Sequence, residues 1–133
     1  MFNDPVNLVD PWGLRPPANV PPNVNMCNNE HVAQNMSFYR FYKAVRSYGK
    51  WDYKRLDKKY EDFGNYHFGY VAAAKGIPEL IARMGAGFYQ IISGTSSFEY
   101  FNSFFDDPKD QYWIREGYKD YQQNYYNCQR KCK

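Results

Sequence analysis

A chain of 133 residues is long enough for one modest core, and nowhere does it approach the roughly eighteen consecutive apolar residues of a membrane span. The start lacks the basic, then apolar, then small-residue order of a secretory signal, so export is expected to depend on something else. Residues 31–133 hold sixteen of the seventeen basic and eleven of the fourteen acidic residues, a net +5 that suits an anionic partner, though no run of five or six like charges demands one.

Six of the eight prolines fall before residue 31, among dense asparagines and without an apolar period, so residues 15–30 read as a proline-rich linker. Asn28 or Asn29 can cap a first helix running from about Glu30 to Tyr48, where Gly49 stops it. Its apolar stripe is Met36 or Phe38, then Phe41, Tyr42, Val45 and Tyr48. Residues 49–66 mix dense charge with aromatic anchors and predict a loop with one helical turn around Leu56–Tyr60.

A small-residue helix is expected from Phe68 to Ala74, closed by Gly76, and Pro78 opens another that reaches about Ile92. Ala82, Gly85, Ala86 and Gly87 make that helix thin on one side, which fits a close neighbour. Thr95–Phe105 is an aromatic-rich connector. The last helix has Asp107 as cap, Pro108 at its first position and Asp110 in its first turn, followed by Ile114, Tyr118, Tyr121 and Tyr125 at helical spacing. No segment alternates as a strand does. The expected fold is all-α: a small single-domain bundle of about four to five helices with an irregular N-terminal tail.

Aromatic residues make up 20% of the chain, fourteen of them tyrosines, so many rings carry a hydroxyl that needs a partner. Their helical spacing favours packing, with a stacking surface for bases or sugars as the functional alternative. The three cysteines, Cys27, Cys128 and Cys132, cannot all pair within the chain. No CxxC or neighbouring histidine suggests zinc. Either Cys128 or Cys132 can reach Cys27 in an oxidising compartment, and the sequence does not choose between them.

The opening residues, MFNDPVNLVDPWGL, resemble the end of the Rhs (YD-repeat) core, whose closing motif reads NPxNxxDPxGL. In that family a hollow β-shell encloses a C-terminal toxin and releases it just after the motif. The resemblance implies a release motif of Asp10, Pro11, Gly13 and Leu14, with Asp10 a candidate for self-cleavage and the cut between Leu14 and Arg15. It divides the chain into a core end over 1–14, the linker over 15–30 and a toxin domain over 31–133.

Residues 38–121 resemble the polymorphic toxin type 44 family through FYKAVRSYGKWDYK (Phe41–Lys54), EDFGNYHFG (Glu61–Gly69) with GAGFYQ (Gly85–Gln90), and DDPKDQYWIREGY (Asp106–Tyr118). Such domains follow Rhs cores and other secretion carriers. The resemblance implies an all-helical antibacterial effector, usually carried by type VI secretion, whose producer is protected by a cognate immunity protein. The expected partners are that immunity protein, the precursor's own β-shell and a nucleic acid or other anionic polymer. Delivery into the cytoplasm of a target bacterium is expected, with the periplasm as alternative, and no membrane insertion.

For chemistry, His67 lies in a charged and aromatic segment and can serve as general acid or base, or be a hydrogen-bonded structural residue; His31 sits at the linker edge. Asp52 and Lys54, two apart in WDYK, are candidate catalytic residues, with Lys54 binding an anionic substrate and Asp52 orienting it or acting as base, or else they simply pair beneath Trp51. Asp106 is the freest of the acids around Asp107 and Asp110, and of the neighbours Glu61 and Asp62 at most one is expected to enter a site, with Glu61 the candidate. Trp51, Tyr53, Arg55 and Asn65 are the candidate substrate-binding residues. No cofactor and no metal are expected.

The chain has no GxxxxGK[ST], no GxSxG and no HExxH, which excludes P-loop, serine-esterase and zincin chemistry. The leading expectation is a nuclease that acts on RNA, with His67 as base and Lys54 on the phosphate. A peptidoglycan-cleaving periplasmic hydrolase using Glu61 or an Asp106-region acid is the alternative. A toxin that binds its target without catalysis is the third class.

Overall fold

Helix α1, Met26–Asn35, begins inside the stretch read as linker, because the Asn25 side chain accepts the Asn28 amide at 2.9 Å and caps the first turn. The computed structural model describes residues 17–83 and 108–128. Pro17, Pro21, Met26 and Glu30 are buried, so part of the proline-rich segment belongs to the domain. The residues of the release motif, the glycines from Gly85 to Gly87, the connector Thr95–Phe105, Asp106, Asp107 and Cys132 lie outside the described residues.

The single first helix expected from the apolar stripe is two. The chain turns extended at Met36, and Ser37 starts α2, Phe38–Val45, by accepting the Arg40 amide at 3.2 Å. A hydroxyl that satisfies an orphan helical amide competes with helix continuation, and here it wins. Phe41 and Ala44 form the buried face of α2, whereas Tyr48, placed in the stripe, is 81% exposed.

After α2 the chain makes short 3-10 turns at Tyr53–Arg55 and Lys58–Tyr60, the second close to the expected helical turn. Helix α3, Glu61–Lys75, then absorbs residues read as loop and ends at Gly76, whose φ of 90° suits glycine. Glu61 and Asp62 complement the positive end of its dipole. Pro78 precedes α4, Glu79–Ala82, with Arg83 as its C-cap; residues 84–92 of that expected helix lie outside the described residues.

Helix α5, Pro108–Gln122, packs along α3. The contact is close because both helices present glycine: a Cβ on Gly117 would meet the Tyr66 carbonyl oxygen at 1.9 Å, and one on Gly69 the Ile114 carbonyl oxygen at 2.0 Å. The buried face of α5 is Trp113, Ile114, Gly117 and Asp120, while Tyr125 is exposed. A reading by apolar period could not place a glycine and an aspartate at the centre of that face.

Tyrosine hydroxyls satisfy the buried acids. Tyr66 donates to Asp120 at 2.5 Å and lies 2.9 Å from the Tyr126 hydroxyl; Tyr70 donates to Glu30 at 2.5 Å. Burial and the nearby carboxylates hold Tyr66 and Tyr70 far above the usual phenol range, and burial pushes Tyr126 up to about 12. Cys27 and Cys128 form a disulfide that ties α1 to the segment after α5. The described residues thus form an all-α domain built around α3, which contacts α1, α4 and α5.

Candidate functional site

A cleft of about 450 Å³ opens between α2, the turns that follow it, and the first half of α3. Tyr42, Val45 and Arg46 line one wall at three- and four-residue helical spacing, with Ser47 beyond them. Trp51, Asp52, Tyr53 and Lys54 form the second wall. Glu61, Gly64, Asn65 and Phe68 recur at three, four and seven residues along one face of α3, and Ile114 of α5 completes the lining.

Backbone contacts hold the second wall in place. The Trp51 amide donates to the Ala44 carbonyl at 2.8 Å, and Gly49 passes so near α2 that a Cβ there would lie 2.3 Å from the carbonyl oxygens of Lys43 and Ala44. The Asp52 carboxylate accepts the Tyr48 amide at 2.8 Å, which fixes one of its oxygens and orients the other. On α3, Asn65 donates to Asp110 at 2.9 Å. Asp62, one residue round the helix from Glu61, is not in the lining and pairs with Lys109 at 3.3 Å.

The structure therefore brings Trp51, Asp52, Tyr53, Lys54, Glu61 and Asn65 into one cleft. Arg55 is not part of the lining; its guanidinium lies over the Tyr48 ring at 5.2 Å. His67 is behind the wall. It is fully buried, with the rings of Trp51, Tyr53 and Phe63 packed around it at centroid distances of 5.2, 5.0 and 5.7 Å.

Burial lowers the His67 pKa to about 3, so the imidazole is neutral near pH 7. Its Nε2 accepts from Asn29 at 3.0 Å, and among the described residues Nδ1 has no hydrogen-bond partner. The Asn29 side chain also hydrogen-bonds Tyr53, linking α1 to a cleft residue. A histidine neutral in the fold and titrating at 6.5 when unfolded makes the unfolded state bind more protons between those values. Stability is therefore complete above pH 6.5 and falls as pH drops toward 3, at up to about 1.4 kcal/mol per pH unit. Urea denaturation between pH 7 and pH 5 checks this, and a His67→Gln variant is expected to flatten the difference.

Sequence reasoning missed Arg46, Ser47 and Tyr42 as cleft residues and Asn29 as a support. Tyr42 and Arg46 follow from the helical phase of α2 once its end is known, whereas Ser47 lies past that end; nothing in the sequence marked Asn29 as more than a cap.

Charge is distributed unevenly around this site. Residues 38–60 carry eight basic and two acidic residues, whereas the rest of 31–133 carries eight and nine. The whole positive surplus thus belongs to α2 and the turns that build the cleft. Cations there lie over aromatic rings: Arg46 over Tyr42 at 5.6 Å, Lys50 over Trp51 at 5.0 Å and Lys59 over Tyr60 at 5.4 Å. Among the described residues no His, Cys, Asp and Glu side chains gather in a group able to hold a metal ion, and no helix is long and apolar enough to cross a membrane.

The family described as Bacterial toxin 44 matches residues 25–123 of the chain. No curated protein and no solved structure matches it.

Proposed function

Because the chain belongs to the bacterial toxin 44 family across most of its length, we propose that this toxin domain is a nuclease acting on RNA, with the cleft between α2 and α3 as its active site. The observation that carries the reading is the concentration of the positive surplus on residues 38–60, around a cleft that also holds carboxylates. A polyanion is attracted to such a frame, and aromatic rings interleaved with cations suit unstacked bases.

Within the cleft Glu61 takes the role of general base that the sequence suggested for His67. Its carboxylate removes the proton of a ribose 2′-hydroxyl; the 2′-oxygen bonds to phosphorus, the bond from phosphorus to the 5′-oxygen breaks, and that oxygen takes a proton from water in the open cleft. Lys54 and Arg46 stabilise the crowded phosphate, Asp52 and Asn65 orient the strand, and Trp51 and Tyr53 hold bases. His67 and Asn29 support that wall from behind. The domain travels as the released end of an Rhs precursor, carried by type VI secretion, with a cognate immunity protein that blocks the cleft in the producer.

The Cys27–Cys128 disulfide favours a second reading, since such bonds persist in oxidising compartments. In the periplasm the same cleft serves a peptidoglycan hydrolase, with Glu61 as the acid and Asp52 as its partner carboxylate. Incubating the purified chain with total RNA, DNA and peptidoglycan, with and without magnesium, separates the two. Shortened RNA is expected; intact RNA beside solubilised peptidoglycan transfers the cleft to the second reading.

A further inference from the structure

Tyr48 is the tip of the turn that forms the cleft rim: Arg46 and Ser47 before it and Trp51 and Asp52 after it all line the cleft. Its backbone sits at φ 68°, a region that glycine enters freely and a bulky L-residue enters only at a cost. Its ring is 81% exposed, so burial does not offset that cost. The conformation is enforced from two sides, by the Asp52 carboxylate that accepts the Tyr48 amide and by Gly49, whose amide donates to the Arg46 carbonyl at 2.8 Å. Arg55 lies over the ring at 5.2 Å and adds a planar cation to a planar ring.

Apart from its contact with Arg55, the exposed ring adds little to folding, and strain of this kind persists where surrounding contacts over-determine it. We infer that Tyr48 with Arg55 is a stacking platform for an unpaired nucleobase of a single RNA strand entering the cleft. The inference rests on the nuclease reading and names a binding position outside the cleft lining. It also gives Arg55 a place: its charge faces the phosphates while its plane supports the ring.

The test is binding of a short labelled single-stranded oligoribonucleotide to the full chain carrying Glu61→Gln, so that the strand stays uncut. Adding Tyr48→Gly is expected to weaken binding by about tenfold or more, while Tyr48→Phe stays within about twofold. The melting temperature of the Tyr48→Gly protein is expected to be unchanged or higher, since glycine relieves the strained φ. Tyr48→Asn, which also tolerates that conformation, provides a second ring-free variant should the glycine protein melt lower. Equal affinity with and without the ring, in a parent that binds the strand, overturns the platform and leaves the cleft reading standing. A parent that binds no oligoribonucleotide overturns both. Binding of a chitin oligosaccharide that is lost with Tyr48→Gly, with RNA binding untouched, assigns the ring to a glycan and overturns the nucleobase.

Discussion

Replacing Glu61 with Gln is expected to lower the rate of RNA cleavage by about 10²–10⁴-fold, the usual contribution of a positioned general base. The loss should be in turnover, because Lys54, Arg46 and the aromatic walls proposed to attract the strand remain. Stability should change little. Glu61 stands in the first turn of α3, where a carboxylate contributes about 0.3–1 kcal/mol through the helix dipole. The matched control is Asp62→Asn, one residue away in the same turn. Asp62 pairs with Lys109 and does not line the cleft, so this variant should retain activity. Equal losses in both variants would point to the helix terminus as a whole and away from a specific base.

The second large effect concerns the disulfide. Cys27 and Cys128 are 101 residues apart, and closing a loop of about that length stabilises a fold by roughly 4–5 kcal/mol in the chain-entropy model. Urea denaturation of the Cys27→Ser, Cys128→Ser double variant, or of the chain under dithiothreitol, should show a loss of that order. The residues near Cys27 give the loss a route to the cleft. Asn29 holds His67 and Tyr53, and Glu30 accepts from Tyr70, so loosening α1 removes support from the wall that carries Trp51 and Tyr53. If the reduced chain keeps its urea midpoint, α1 is held by packing alone and the disulfide no longer argues for an oxidising compartment.

Much of the fold was legible in the sequence where local chemistry dominates. Pro108, with Asp110 following, opened α5, Gly76 closed α3, and the absence of alternation gave an all-α domain. Failures came where one polar atom outweighed a pattern. The Ser37 hydroxyl split the first helix, and the Asn25 side chain began α1 within the supposed linker. On α5 the glycine that permits contact with α3 and the aspartate that meets Tyr66 were invisible to a search for apolar period.

The cleft was partly legible for the same reason. WDYK and Glu61 carry charge or aromatic surface at short spacing, and the structure gathers them with Asn65. His67 lies two residues beyond Asn65, and on a helix that step rotates a side chain well away from its neighbour's direction. Treating residues 49–66 as a loop hid this consequence. Once α3 is seen to begin at Glu61, the phase places Glu61, Asn65 and Phe68 on the cleft and turns His67 into the core.

A defined single-stranded oligoribonucleotide and its all-deoxy counterpart, each incubated with the wild-type chain and with Glu61→Gln, give the most direct measurement. Assignment of the α2–α3 cleft as an RNA-cleaving site predicts that wild type cuts only the ribose strand and leaves a 2′,3′-cyclic phosphate end, while the variant leaves it whole. Cutting of both strands alike would contradict a 2′-hydroxyl nucleophile, and an uncut ribose strand with wild type would contradict the assignment itself.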